Sequence, residues 1–270
     1  MASEKILDQY SNKTESLPTI LSSHGYRTVF ISPHGKNENL RYLMKATGFH
    51  EVYSADDYIP GTNDFLTDKN LYKFLYMKAK ELDSGQQPFL LVAYIVGTHH
   101  GLDSPDKKWS NGRNSYFNKF HNSDYWFGDF VKKIESSGMG EDTTIVYTAD
   151  HSTFPTQEYR DTFGSNAHYF IDRIPLIFYK PSMKSERFDA KNRNSLCLTP
   201  TILDYLGIKD ERNHFLGESL FSKENNEFSR LSVIGDDYYS TVTGSAQLIK
   251  EEDINKKTQK KVRSYYDFAG

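Results

Sequence analysis

Four short runs rich in β-branched and aromatic residues constrain this chain most: Arg27–Ile31, Phe89–Val96, Thr144–Thr148 and Ile174–Tyr179. Each is bounded by turn residues and is apolar throughout, the pattern of strands covered on both faces. Between them the periodicity predicts helices over Leu17–Ser23, Asn39–Thr47, Lys69–Leu82, Tyr116–Ser136 and Thr199–Leu206, the last closing on Gly207. Strand and helix alternate, so the fold class is α/β. From about residue 228 the pattern changes to Leu231–Gly235 and Tyr238–Ile249, which read as antiparallel strands. The expected division is an α/β domain over 1–227 and a small C-terminal subdomain over 228–270.

A chain of 270 residues buries a sizeable core. With 33 basic and 36 acidic residues its net charge is −3, so no overall field draws it to nucleic acid. The cationic cluster Lys256, Lys257, Lys260, Lys261 and Arg263 reads as a solvated helix face, or more sharply as a phosphate-binding patch. The single Cys197 permits neither an internal disulfide nor a thiolate cluster, so any metal must be held by oxygen and nitrogen ligands. The longest apolar run, Phe89 to Gly97, is far short of the roughly 20 residues of a spanning helix, and no signal-peptide pattern opens the chain. The chain by itself is expected to be soluble and without a targeting signal.

In open α/β sheets, ligands bind outside the carboxyl ends of the strands. Asp150-His151 follows one such end, and a carboxylate beside an imidazole suits Zn or Mn; the plainer reading is a turn cap and a loop histidine. A second strand leads into Gly97-Thr98-His99-His100-Gly101, so two strands deliver histidines to one edge. If that segment stays extended, His99 and His100 point opposite ways and only one faces a site. After the first strand come His34 and Arg41; Arg41 suits a bidentate grip on an anion or a solvent-facing helix position. His168 precedes a strand instead of following one and reads equally as a surface or lid histidine. There is no P-loop, Gly-x-Gly-x-x-Gly or Gly-x-Ser-x-Gly, and Ser16 before Leu-Pro reads as an N-cap, not a nucleophile.

Taken in order, "SLPTILSSHGYRTVFISPHG" (16–35), "GF" (48–49), "PFLLVAYIVGTHHG" (88–101), "DYWFGDFVKKIESSGMGEDTTIVYTADH" (124–151), "RIPLIFYKP" (173–181) and "LTPTILDYLGI" with "GESLF" (198–221) resemble a known family. It is the sulfatase-type branch of the alkaline phosphatase superfamily, and within it the lipoteichoic acid synthase and phosphoglycerol transferase group. The resemblance implies an alkaline phosphatase-like α/β/α sandwich with a mainly parallel sheet. It implies a metal-bound Thr nucleophile, or a formylglycine in true sulfatases, and a divalent metal: manganese or zinc first, magnesium or calcium as alternatives. Asp150 and His151 are then metal ligands. His100, the counterpart of the family's Thr-x-His histidine, contacts the transferred group and is the catalytic candidate. His34, His99, Arg41 and His168 are the substrate-binding candidates.

The implied partners are an anionic lipid head group or a phosphorylated or sulfated glycan. The implied reaction moves a phosphoglycerol-type group from a lipid donor to an acceptor, at the extracytoplasmic face of the membrane. A sulfuric- or phosphoric-ester hydrolase is one alternative, and an inactive anion- or glycan-binding remnant is another. Where the synthases carry Phe-Trp-Asn-Arg after His-Gly, this chain reads Asn-Glu-Asn-Leu-Arg41. The family's nucleophile strand and first acidic ligand precede the counterpart of "SLPTIL", which here has fifteen residues before it. The expectation is an N-terminally truncated catalytic domain, joined to the membrane only through an anchor missing from this chain.

Overall fold

The computed structural model describes residues 15–165, 172–209, 215–223, 227–234 and 237–260. The chain forms two compact units, one spanning Pro18–Lys184, the other running from Ser185 onward with the residues before Pro18.

In the first unit α1 (Leu17–Ser23) leads into β1 (Arg27–Ile31), α2 (Glu38–Ala46) and β2 (Glu51–Tyr53). The short α3 (Ala55–Tyr58) and the long α4 (Asp68–Asp83) then cross to β3 (Phe89–Ala93). The three strands are parallel in the order β2-β1-β3, as helical crossovers require. Val29, Phe30 and Ile31 of the central strand are buried. α5 (Ser115–Ser136) leads to β4 (Ile145–Thr148), and α6 (Gln157–Phe163) precedes β5 (Leu176–Tyr179), which pairs antiparallel with β4.

The helices form where spacing and caps agree. Thr67 caps α4 by accepting from the Asn70 amide, and Leu71, Phe74 and Leu82 are buried along one stripe. Asn114 caps α5, and its Phe130 and Ile134 pack with Tyr72 and Ala79 of α4 and with Met139.

Two expectations need correction. β3 ends at Ala93, short of Val96, because its partner β1 ends at Ile31; the Tyr94 amide makes the last bond to the Ile31 carbonyl. Nor are all strands covered on both faces, since every residue of β3 and β4 is only partly buried. β2 and α3 are too short for a periodic pattern, and α6, although as long as α1, lies outside the runs read from the sequence.

The second unit holds α7 (Leu198–Tyr205) and a small antiparallel sheet of β6 (Leu231–Ile234), β7 (Asp237–Ser240) and β8 (Gln247–Ile249). The antiparallel strands expected in this stretch are present. Cys197 is buried and donates to Ser229 Oγ at 3.3 Å. Lys256, Lys257 and Lys260 are exposed, as for a solvated helix face.

Candidate functional site

The carboxyl ends of β1, β3 and β4 supply the candidate residues. After β1 the chain turns at His34-Gly35, where Gly35 is forced by packing: a Cβ there would lie 2.7 Å from the Asn63 carbonyl. The His34 ring packs against Phe65 at 4.7 Å and stacks at 6.1 Å on Tyr94, which follows β3. Burial pushes the His34 imidazole below its ordinary value, so it serves near neutral pH as a neutral donor or acceptor and not as a fixed cation. Tyr94 is pushed above its usual range, first by burial and then by the negative charge of Asp150 at the end of β4. Tyr94 thus faces the His34 ring and senses the charge of Asp150.

His99 and His100 occupy a turn and not an extended strand, so the alternation expected of neighbours does not apply. Their rings lie 4.3 Å apart, and His99 Nδ1 lies 3.0 Å from the His100 carbonyl. His100 also meets Phe154 edge-on at 5.5 Å, and Phe154 in turn packs on His151 at 4.7 Å. One phenyl ring therefore spaces the histidine that follows β3 from the histidine that follows β4.

At Asp150-His151 the hydrogen bonds fix the tautomer. Ser152 offers a carbonyl that only accepts, 2.6 Å from His151 Nδ1, so Nδ1 carries a proton. The ring's Nε2 lies 3.6 Å from Asp150 Oδ2, while Asp150 Oδ1 accepts the His151 amide at 2.9 Å. A carboxylate oxygen and an imidazole nitrogen at this spacing suit a shared divalent cation. Ligands about 2.1 Å from a tetrahedral ion are themselves ~3.4 Å apart, close to the spacing here. Among the described residues no third His, Cys, Asp or Glu completes a ligand set.

A cavity of about 380 Å³ opens beside His34, lined by His34, Gly35, Asn37, Asn39, Asn63 and Phe65 among others. Arg41 lies one turn into α2 and is engaged elsewhere, donating to Asp57 at 3.0 Å and to Ser54 Oγ at 3.3 Å. His168 lies outside the described residues. The structure therefore brings His34, His99, His100, Asp150 and His151 to one edge and turns Arg41 toward Asp57. Tyr94 was missed because it sits inside the run Phe89–Val96, and Phe154 because a lone aromatic in the loop after β4 carries no signal of its own.

A sulfatase family model matches residues 2–208. Among curated proteins, the lipoteichoic acid synthase-like YvgJ of Bacillus subtilis is 25% identical over 84% of this chain and 41% of its own length. The chain thus spans less than half of that relative. Among solved structures, the lipoteichoic acid synthase LtaP of Listeria monocytogenes superposes with a TM-score of 0.70 at 20% identity, over 97% of this chain and 72% of that one. An alkaline phosphatase superfamily protein from Vibrio parahaemolyticus gives 0.74 at 18% identity, over 98% and 70%. The fold is accordingly alkaline phosphatase-like.

Proposed function

Since this chain belongs to the sulfatase family, in the branch close to the lipoteichoic acid synthases, we propose that it is the C-terminal part of a metal-dependent phosphotransferase. Its reaction moves a phosphoglycerol-type head group from a lipid donor to a glycan or lipid acceptor. The observation that carries the reading is the meeting of His34, His100, Asp150 and His151 at the carboxyl ends of three strands, linked through Tyr94 and Phe154. The polar cavity beside His34 is of a size for a small head group.

Asp150 Oδ2 and His151 Nε2 would hold a divalent ion, manganese or zinc by donor type. Such an ion, when bound, offsets charge on the transferred group and lowers the pKa of a coordinated nucleophile. His151 is held in the metal-binding tautomer by the Ser152 carbonyl. His100 supplies a hydrogen bond to the transferred group, and neutral His34 binds a head-group hydroxyl or phosphoryl oxygen without needing a counter-charge. In this reading the nucleophile and a further acidic ligand come from a segment outside the described residues. Supporting it, β3 and β4 each pair on one side only among those residues.

The test uses the polypeptide expressed from its complete native reading frame, given Mn or Zn and fluorescent phosphatidylglycerol. Diacylglycerol release that disappears in Asp150→Ala is the expected result. Turnover of 4-nitrophenyl sulfate in its place would make the protein a sulfuric-ester hydrolase, and turnover of neither would leave a binding remnant.

A further inference from the structure

α5 buries a polar face where a core helix normally buries apolar side chains. Asn118, Lys119, Asn122 and Ser123 are at most 2% exposed. Lys119 Nζ reaches the His99 carbonyl at 3.4 Å and lies 4.2 Å from the Tyr116 ring. Asn122 donates to Asp68 at 2.9 Å, and the Asp68 carboxylate lies against the Gly97 backbone. The contact is close: a Cβ on Gly97 would overlap both carboxylate oxygens of Asp68. Asn118 and Asn122 tie down the segment that follows, accepting the amides of Trp109 at 2.9 Å and Lys107 at 3.3 Å.

We propose that Asp68 and Lys119 are positioning residues for the Gly97–His100 turn, the carboxylate packing against its first residue and the ammonium bonding its third carbonyl. The inference rests on the reading above, in which His100 meets the anionic group. Neither charge is cheap to bury. Burial pushes the Asp68 carboxyl up, with Asn122 and Gly97 opposing it and Asp106 adding repulsion. Burial likewise pushes the Lys119 ammonium down, against the favourable fields of Glu158 and Asp103. A role in packing alone would be met better by apolar side chains of the same volume. What an apolar pair cannot do is bond the His99 carbonyl and, through Asn122, fix a carboxylate against Gly97, which sets where His99 and His100 point. Violations of local rules of this kind collect where a site is being held in shape.

The experiment uses this chain, with inorganic phosphate as the probe and imidazole NMR as the readout. The variants are Asp68→Ala, Asp68→Asn and Lys119→Met, with Leu71→Ala as a control that destabilises the same helix without touching the turn. Asp68→Ala and Lys119→Met are expected to shift the His99 and His100 imidazole resonances, leave those of His34 and His50 in place, and weaken phosphate binding about tenfold, the scale of one lost charge-assisted bond. Asp68→Asn, which keeps one acceptor, should restore most of both. Unmoved His99 and His100 resonances, or equal movement in Leu71→Ala, would overturn the proposal. Wild-type protein whose His100 ignores phosphate at every concentration would sink the functional reading instead, and the imidazole shifts would still decide positioning.

Discussion

Gly97→Ala is the most informative single methyl in this molecule. Gly97 does not adopt a positive φ, so the substitution carries no backbone strain of its own. The new Cβ would instead overlap both Asp68 carboxylate oxygens, and Asp68 is 2% exposed and held by Asn122 at 2.9 Å, so it has nowhere to swing. Overpacking a buried site costs about 1–3 kcal/mol. Displacing the carboxylate from Asn122 forfeits a hydrogen bond to a charged group, worth roughly 1.5–3 kcal/mol. The expected loss is therefore about 3–5 kcal/mol, a large fraction of a domain's stability. Urea denaturation followed by far-ultraviolet circular dichroism measures it as a fall in midpoint at unchanged slope. A thermodynamic cycle isolates the cause: in an Asp68→Ala background, which removes the overlapping atoms, Gly97→Ala should cost less than ~1 kcal/mol. A loss under ~1 kcal/mol in the wild-type background, or equal losses in both, would refute the steric argument.

In the second unit, buried Thr201 donates to the Cys197 carbonyl at 2.6 Å and accepts the Leu220 amide at 2.9 Å. Thr201→Val keeps the shape but strands the Leu220 amide, so a loss of about 1–3 kcal/mol in chemical denaturation is expected, and a neutral outcome would show that water reaches it. At the sheet edge, Glu51 is held below the ordinary carboxylate range chiefly by its hydrogen bond from Arg27 at 2.5 Å, with burial opposing. A carboxyl with a depressed folded value stabilises above its unfolded value and loses that contribution as pH falls through the folded one. Stability measured from pH 7 down to pH 3 should therefore fall less steeply in Glu51→Gln than in wild type. The partly exposed pair is worth no more than ~1 kcal/mol, so a larger difference would point to a wider network through Tyr53 and Lys78.

What was legible in the sequence follows from how local the signal is. The runs holding β1, β3 and β4 each give way to polar residues, so Asp150-His151 could be placed at a strand end and Thr98-His99-His100 in the loop beyond one, although β3 itself stops at Ala93. The partners that shape those ends are not local. Asp68 opens α4, and an acid in a first helical turn is ordinary; its burial against Gly97 comes from a crossover of nearly thirty residues that no periodicity reports. Lys119 and Asn122 fall on the inward side of an otherwise well-formed amphipathic helix, where the sequence pattern assigns polar residues to solvent. Arg41 shows the converse: the residue type suits an anion, but capping chemistry around Ser54 and Asp57 places a carboxylate within its reach first.

The same non-local packing bears on how the proposed site is held together. The anion-side histidines follow β1 and β3, whereas Asp150 and His151 follow β4, which belongs to a different sheet. No backbone ladder among the described residues fixes one set relative to the other. The link runs through side chains: Leu91 and Ile95 from the β3 side and Ile145 of β4 pack on one cluster of Tyr72, Ala79, Phe130, Ile134 and Met139. The outer edges of β3 and β4 carry unpaired backbone groups, tolerable because their residues are only half-buried and an edge open to water satisfies them. A strand added to the outer edge of β3 in the same direction would end level with Ala93, on the side from which the chain runs on to the histidine turn. The segment that the proposed reaction needs for its nucleophile and the segment that the open edge can accept are thus asked for at the same end of the same strand.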